Sequence, residues 1–428
     1  MIGGRPDPSL PIVVIGAGVV GVMTAYSLTR RGRRVTLIDR LPGPAELCSR
    51  ANAGILAVGH ATAWAGPDAF GPMLRAVTAR DPAVRITRSM DPALWRWGIE
   101  FLRHCTPAAH RANSDKLKRL SRFSRDLLPA SEAAMGLPQE TVHDGGLYLF
   151  QDAAAFHAHT ASLGEAQDDT VDVLDREALV ALEPALAAMA DRLVGGLLSK
   201  VDSVGDCHLF TKRTCDHLVR SNTAGVVFDR PVTGFRMNGS VIEAVETDAG
   251  PLPCADVVLA TGVETRDLCR PLGFSPQIYP VKGYSGTWRV LDPAAVPRLP
   301  LVDETELVGV AHYGDRLRVT AIAEFAGRNL SLPEDRIRHL DRYVRRNFGS
   351  AVDLESPEFW TGLRPSTPAG PPYLGRVRRA DNLWINAGHG QLGWTMSFGC
   401  GEILAQLISG EQPALLGVSS TARWLDPA

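Results

Sequence analysis

Lysine is scarce, paired cysteines are absent, and no charge of one sign accumulates. Only five lysines stand beside forty arginines in 428 residues, and the net charge is −2. Nothing in that balance builds a surface for nucleic acid. The seven cysteines, at positions 48, 105, 207, 215, 254, 269 and 400, contain no CxxC spacing. An odd, scattered set excludes a disulfide framework and reads as reduced thiols in a cytoplasmic protein. His157-Ala158-His159 lacks a nearby third ligand, so no metal site is expected. Gly283-Tyr284-Ser285-Gly286 is followed by Thr287, which excludes a G-x-S-x-G nucleophile elbow. Internal repeats and long polar linkers are also missing.

One apolar run, Pro11 to Leu28, invites comparison with a membrane span. Three glycines and the polar Thr24, Tyr26 and Ser27 make it a poor one. It reads better as strand, turn and helix. Ile12 to Ile15 is a short β-branched run suited to a buried parallel strand. Gly16-Ala17-Gly18-Val19-Val20-Gly21 follows, then helical spacing to a stop near Gly32, and a second strand, Val35 to Ile38, ending at Asp39. Gly16 permits the tight turn, Gly18 lets backbone approach a pyrophosphate, and Gly21 lets helix pack on strand. The helix N-terminus offers free N–H groups to phosphate, and Asp39 accepts from ribose hydroxyls. With strand, helix, second strand and acid in register, a dinucleotide site is expected.

Two later segments favour FAD over NAD. Asp256 to Leu259 is a buried strand running into Ala260-Thr261-Gly262. Leu383 to Asn386 is another, followed by Ala387-Gly388-His389-Gly390-Gln391-Leu392-Gly393 and a helix to Ser409. That second helix N-terminus suits an anionic reduced ring. Between them, Leu94, Trp97, Phe101, Leu102 and Cys105 trace one apolar helix face, on which core packing outweighs membrane contact for Trp95 and Trp97. Leu117, Leu120, Phe123 and Leu127 trace another. Val232 to Thr247 reads as a hairpin turning at Asn238-Gly239. Strands are expected at Val281–Val290, Leu307–Ala311, Leu317–Ala323 and Phe359–Gly362, and a helix at Glu334–Asn347.

The sequence resembles the FAD-dependent D-amino acid dehydrogenases, within the wider group of D-amino acid and glycine oxidases. The likeness runs nearly the whole length. It is carried by VVIGAGVVGV (13–22), VTLIDR (35–40), SRANAG (49–54), GDCHLFT (205–211), YPVKGYS (279–285), FWTGLRPSTPAG (359–370) and NLWINAGHGQLGWTM (382–396). The resemblance implies an α/β and α+β fold, in which a Rossmann-like FAD-binding domain (1–75, 200–275 and 355–428) interleaves with a substrate domain of mixed sheet and helices (76–199 and 276–354). It implies oxidative deamination of a small amino acid of D configuration. Hydride passes from Cα to flavin N5, and the imino acid hydrolyses to keto acid and ammonia.

The same resemblance assigns roles. Asp39 and Arg40 belong to the adenosine end, and Ser49, Asn52, Ala53 and Gly54 to the pyrophosphate and ribityl portion. Val232 meets the adenine side, with Ala260 and Gly262 nearby. Gly388, Gly390, Leu392, Gly393, Trp394 and Thr395 run along the ring edge. Arg364 binds the substrate carboxylate, Tyr284 stands over the flavin as a second donor, and His389 is a candidate base or orienting group. His60 and Tyr313 are expected at the substrate pocket. FAD is expected to be non-covalent, because residues 362–368 lack the cysteine that tethers it in some relatives. The implied electron acceptor is a quinone or similar carrier, reached by peripheral contact with the inner face of the membrane.

Departures lie near the expected pocket. Ile55 and His60 stand where similar proteins have a polar residue and a tyrosine, and Thr320-Ala321 where they have two glycines. Two other readings remain at this level. One is oxidation of secondary or N-substituted amino acids (proline-, hydroxyproline- or sarcosine-like). The other is a non-catalytic FAD-binding subunit.

Overall fold

The computed structural model describes residues 7–69, 84–138, 141–166, 169–415 and 417. Two sheets dominate it. The smaller has six strands, centred on Ile12–Ile15 between Asp256–Leu259 and Val35–Ile38. Ala224–Val227 extends it on one side, and Leu383–Ala387 with Tyr373–Arg376 on the other. All its neighbours are parallel except the last pair. Helices Val19–Thr29 and Gly393–Ile408 pack against each other over one face. Gly401 makes this contact close, since a Cβ there would lie 2.9 Å from the Met23 backbone.

The larger sheet has nine strands and mixed directions. Its core runs Glu358–Ser366, Tyr279–Arg289, Arg316–Phe325, Val308–Tyr313, Leu301–Asp303, Gly146–Phe150, Gly195–Ser199 and Val171–Asp175, with Val84–Ile86 beside Phe325. Alternation along Tyr279–Arg289 separates two environments. Tyr284 and Trp288 join the core with Leu340, Tyr343, Val344 and Phe348 of helix Glu334–Phe348. Tyr279 and Val281 face the other way, with Trp97 and Phe101 of helix Pro92–Arg103.

The expected hairpin forms as Val232–Asn238 and Val241–Thr247, with Gly239 at φ +61°. Two expectations need correction. Glu358–Ser366 extends past Gly362, so Arg364 lies within the strand and not at its exit. On helix Pro92–Arg103, Trp97 and Phe101 are buried, but Leu102 joins Met90, Trp95 and Ile99 among the exposed apolar side chains. The periodicity had room for two faces, and only one meets the sheet. Among the described residues, no helix is long and apolar enough to cross a membrane.

Candidate active site

The nucleotide end is built from backbone. Gly16 has φ +104°, and a Cβ there would lie 2.6 Å from the Ala260 carbonyl. A Cβ at Gly21 would lie 1.8 Å from the Gly16 carbonyl. At Gly18 the nearest obstacle is the Ser49 hydroxyl at 3.5 Å, so the approach to the helix end is open. Helix Val19–Thr29 has no side-chain cap and no acid in its first turn. Ser49 Oγ accepts from Val19 N at 3.1 Å. A positive helix end left uncapped beside a hydroxyl fits a pyrophosphate. Asp39 accepts from Ala17 N (2.7 Å) and Leu41 N (3.0 Å), one bond per oxygen. Burial pushes its pKa up against those two bonds, and further donors such as ribose hydroxyls would stabilise the charge. Val232 opens its strand two residues past Arg230, whose N–H bonds the Asp39 carbonyl. Arg40 grips Glu264 at 2.6 and 3.1 Å, tying the second strand to the turn after Leu259. Gly262 in that turn has φ +54° and lies beside Pro365.

The segment after Ser49 crosses to the larger sheet. Asn52 Oδ1 accepts from Gly54 N at 3.0 Å, and its carbonyl accepts from Arg318 at 3.2 Å. Gly54 has φ +73°, and a Cβ there would lie 2.8 Å from the Tyr313 ring. Ala53 and Ile55 lie over Gly309. Tyr313 therefore borders the cofactor segment, between Arg316 and Arg318. Arg318 was not anticipated. Its only signal in the sequence is a charged residue at a position that alternation assigns to the sheet.

At the other end of the cleft, Gly388 (φ +90°) and Gly390 (φ +56°) fold the last turn against Arg364's own strand. Gly390 N donates to the Pro365 carbonyl at 2.9 Å, and His389 bridges Ser366. His389 is 3% exposed, its Nε2 has no protein partner, and burial pushes its pKa down to about 3. It is neutral at physiological pH and does not serve as a protonated acid; an orphaned ring nitrogen here suits a polar cofactor edge. Helix Gly393–Ile408 starts after Leu392 with no side-chain cap and no acid in its first turn. Trp394 and Thr395 are buried in that turn, Trp394 packing on Phe210. Both ends of the cleft therefore fit FAD.

Arg364 pairs in register with Val281 and so projects from the same face as Gly283. A Cβ on Gly283 would lie 2.6 Å from the guanidinium, so only glycine admits it. Arg364 NH1 donates to the Ile322 carbonyl at 3.0 Å. That carbonyl is aimed by a bulge: Lys282 pairs with Glu324 but Tyr284 with Ala321, and Ile322 takes φ +67°. A β-branched residue in that region is strained, and strain of this kind persists at functional sites. Desolvation, partly offset by Cys48, lowers the guanidinium's pKa, but arginine stays charged. Among the described residues no acid forms an ion pair with it.

Tyr284 is not part of this constellation. It projects from the opposite face, and its hydroxyl donates to Glu324, which also pairs with Arg336 at 3.4 Å. The motif placed the right strand at the site but the wrong parity of residue. His60 lies farther along the cleft, stacked on Tyr148 with centroids 4.5 Å apart. Glu304, Tyr148 and Asp202 around it had not been anticipated.

The FAD dependent oxidoreductase family model matches residues 11–407. A D-amino acid dehydrogenase of Rhodopseudomonas palustris is 36% identical over 408 residues, covering 95% of this chain and 96% of that relative. One of Cereibacter sphaeroides is 39% identical over 409 residues, covering 94% and 93%. Among solved structures, a glycine oxidase from Bacillus cereus superposes with a TM-score of 0.73 at 20% identity, covering 94% of this chain and 96% of that one. The cofactor is FAD, and oxidation of a substrate by it requires an electron acceptor. With a match spanning both sheets and the cleft between them, the chain belongs to the FAD dependent oxidoreductase family.

Proposed function

We propose that the chain is a dehydrogenase of D-amino acids, with Arg364 as the group that binds the α-carboxylate. The observation carrying this reading is an unpaired guanidinium fixed on a strained carbonyl beside the cofactor turn. A planar fork grips a carboxylate at two points and fixes the Cα–H direction. FAD, when bound, supplies the acceptor for the hydride. Gly16, Gly18, Ser49 and Asp39 would hold its nucleotide half, Asn52 and Gly54 its ribityl portion, and the 388–395 turn and helix start the edge of its ring. His389 orients that turn as a neutral imidazole. The amine reacts in its neutral form, so no strong base is required. The FAD is dissociable, since residues 362–368 contain no cysteine.

The cofactor domain takes the described residues of the segments 1–75, 200–275 and 355–428, with Glu358–Ser366 passing through the substrate sheet before returning. Electrons leave to a quinone. The exposed Met90, Trp95, Ile99 and Leu102 form the face that meets the membrane surface from the cytoplasmic side. The names of the curated relatives support the D-amino acid reading. The test is an anaerobic screen of flavin bleaching by D-, L- and N-substituted amino acids, followed by reoxidation with soluble quinone or air. Bleaching by D-amino acids and faster reoxidation by quinone are expected. Bleaching only by N-substituted substrates, or none, overturns the substrate assignment.

A further inference from the structure

Helix Pro92–Arg103 separates two apolar surfaces. Its outer face exposes Trp95, Ile99 and Leu102, and its inner face buries Trp97 and Phe101. It is tied to the larger sheet at the last pair of Tyr279–Arg289 with Glu358–Ser366, where Tyr279 stands opposite Ser366. Trp97 Nε1 donates to the Ser366 carbonyl at 2.8 Å. Tyr279 OH donates at 3.1 Å to Asp91, the residue that caps the helix.

A cavity of about 400 Å³, counted to its open mouth, lies against this inner face. Trp97, Phe101, Trp64 and Leu117 of helix Pro107–Met135 line it, together with residues 389–392 of the turn after Ala387. Trp64 is 40% exposed, so it also reaches solvent. Among the described residues no lysine, arginine, aspartate or glutamate lines the cavity. Burial keeps His389 neutral, so this lining carries no charge. Its polar side chains include Thr62, Gln391 and the His389 ring, whose Nε2 has no protein partner. An amino acid would bring a carboxylate and an ammonium here and leave both unpaired. A flat, neutral, mostly apolar molecule with carbonyl groups meets no such cost, and aromatic walls favour it.

We propose that this cavity binds the head group of the quinone acceptor, with Trp64 at its entrance and the quinone's apolar tail leaving along the exposed face of helix Pro92–Arg103. This rests on the quinone reading above. The turn assigned to the ring edge is itself part of the lining, so the head group sits against it. Quinone reduction takes two electrons and two protons from the reduced cofactor. The two carbonyl oxygens become hydroxyls as the cofactor loses its two N–H hydrogens and returns to the oxidised form.

The test separates the two half-reactions by stopped flow, in FAD-loaded wild type and Trp64→Ala. The flavin is bleached without oxygen by a D-amino acid, or by stoichiometric dithionite where none bleaches it. It is then mixed with a short-chain benzoquinone, with ferricyanide or with aerated buffer. In Trp64→Ala, reoxidation at low quinone should slow at least about tenfold, while bleaching and reoxidation by ferricyanide change by less than about twofold. Equal slowing of all three, or quinone reoxidation unmoved by the substitution, overturns the site and leaves the quinone reading standing. A wild type that quinone reoxidises no faster than air ends that reading, and the proposal with it. Photolabelling of the oxidised wild-type holoenzyme by an azido-benzoquinone needs neither turnover nor a folded variant. Label on peptides carrying residues 62–65, 97–101 or 389–392, displaced by the short-chain quinone, supports the site. Label elsewhere, or none, overturns it.

Discussion

In the six-stranded sheet the functional positions are defined by backbone, whereas in the nine-stranded sheet they depend on where side chains point. Gly16, Gly18 and Gly21 matter because a Cβ would collide or obstruct, and that requirement is written one residue at a time. Arg364 matters because of its register with Val281, the empty Cα of Gly283 and a bulge at Ile322 contributed by a third strand. The first region can be read locally. The second is assembled from strands separated by about eighty residues, so a motif names the strands without fixing parity.

The sharpest contrast is expected at Gly21. Its Cβ position lies 1.8 Å from the Gly16 carbonyl, and backbone on both sides cannot yield. Gly21→Val should give protein that retains no FAD and unfolds early or does not fold, by flavin content and thermal melting. Gly32→Ala, at φ +68° with nothing within 4 Å, should cost only the left-handed backbone penalty of about 1–2 kcal/mol and keep its flavin. Equal effects would mean that close packing is not what the glycines serve.

Asp39→Ala comes next. Loss of a charged acceptor of hydrogen bonds is worth roughly 1.5–3 kcal/mol, or about 10- to 150-fold in FAD affinity. Turnover of the flavin-bearing fraction should change little. Unaltered affinity on titrating apoprotein would break the nucleotide half of the comparison.

Tyr284→Phe probes the far face of the larger sheet. It removes a hydrogen bond to a buried carboxylate and should cost roughly 1.5–3 kcal/mol in urea unfolding, with kcat/KM changed by less than about twofold. Burial alone would raise the Glu324 pKa, but Tyr284 and Arg336 outweigh it and hold it below its ordinary value. A depressed pKa contributes stability above the unfolded value and loses it as pH falls through the folded one. Wild type should therefore weaken below about pH 4.3, and the variant should show a shallower loss. A large kinetic defect would return Tyr284 to the site.

The same contrast explains what the sequence made legible. The βαβ unit, the Asn238-Gly239 hairpin and the turn 388–393 carry local glycine or alternation signals, and each forms where expected. Arg364 was named by motif, but its strand continues because Arg364 to Ser366 stay paired with Val281 to Tyr279, and Gly283 leaves room for the guanidinium. Tyr284 was misassigned by one residue of alternation, since the KGYS match suggested a second donor over the flavin while the core of Glu334–Phe348 claimed the side chain. The positive φ of Ile322 has no signal at all: a β-branched residue disfavours it, and only the partners' register imposes it. Glu304 and Asp202 were equally silent, because a single acid in a sequence does not disclose that its surroundings will be dry.

Arg364 is where the account stands or falls. Arg364→Ala, loaded with FAD and mixed anaerobically with a D-amino acid that bleaches wild type, should keep a near-native flavin spectrum. Its kcat/KM should fall at least about 30-fold, because removing one partner of a desolvated charge pair costs about 2–5 kcal/mol. Arg364→Lys should also be poor, since an ammonium cannot grip both oxygens. Bleaching of Arg364→Ala at the wild-type rate, with native spectrum and unchanged KM, would show that the carboxylate is held elsewhere and would contradict the account.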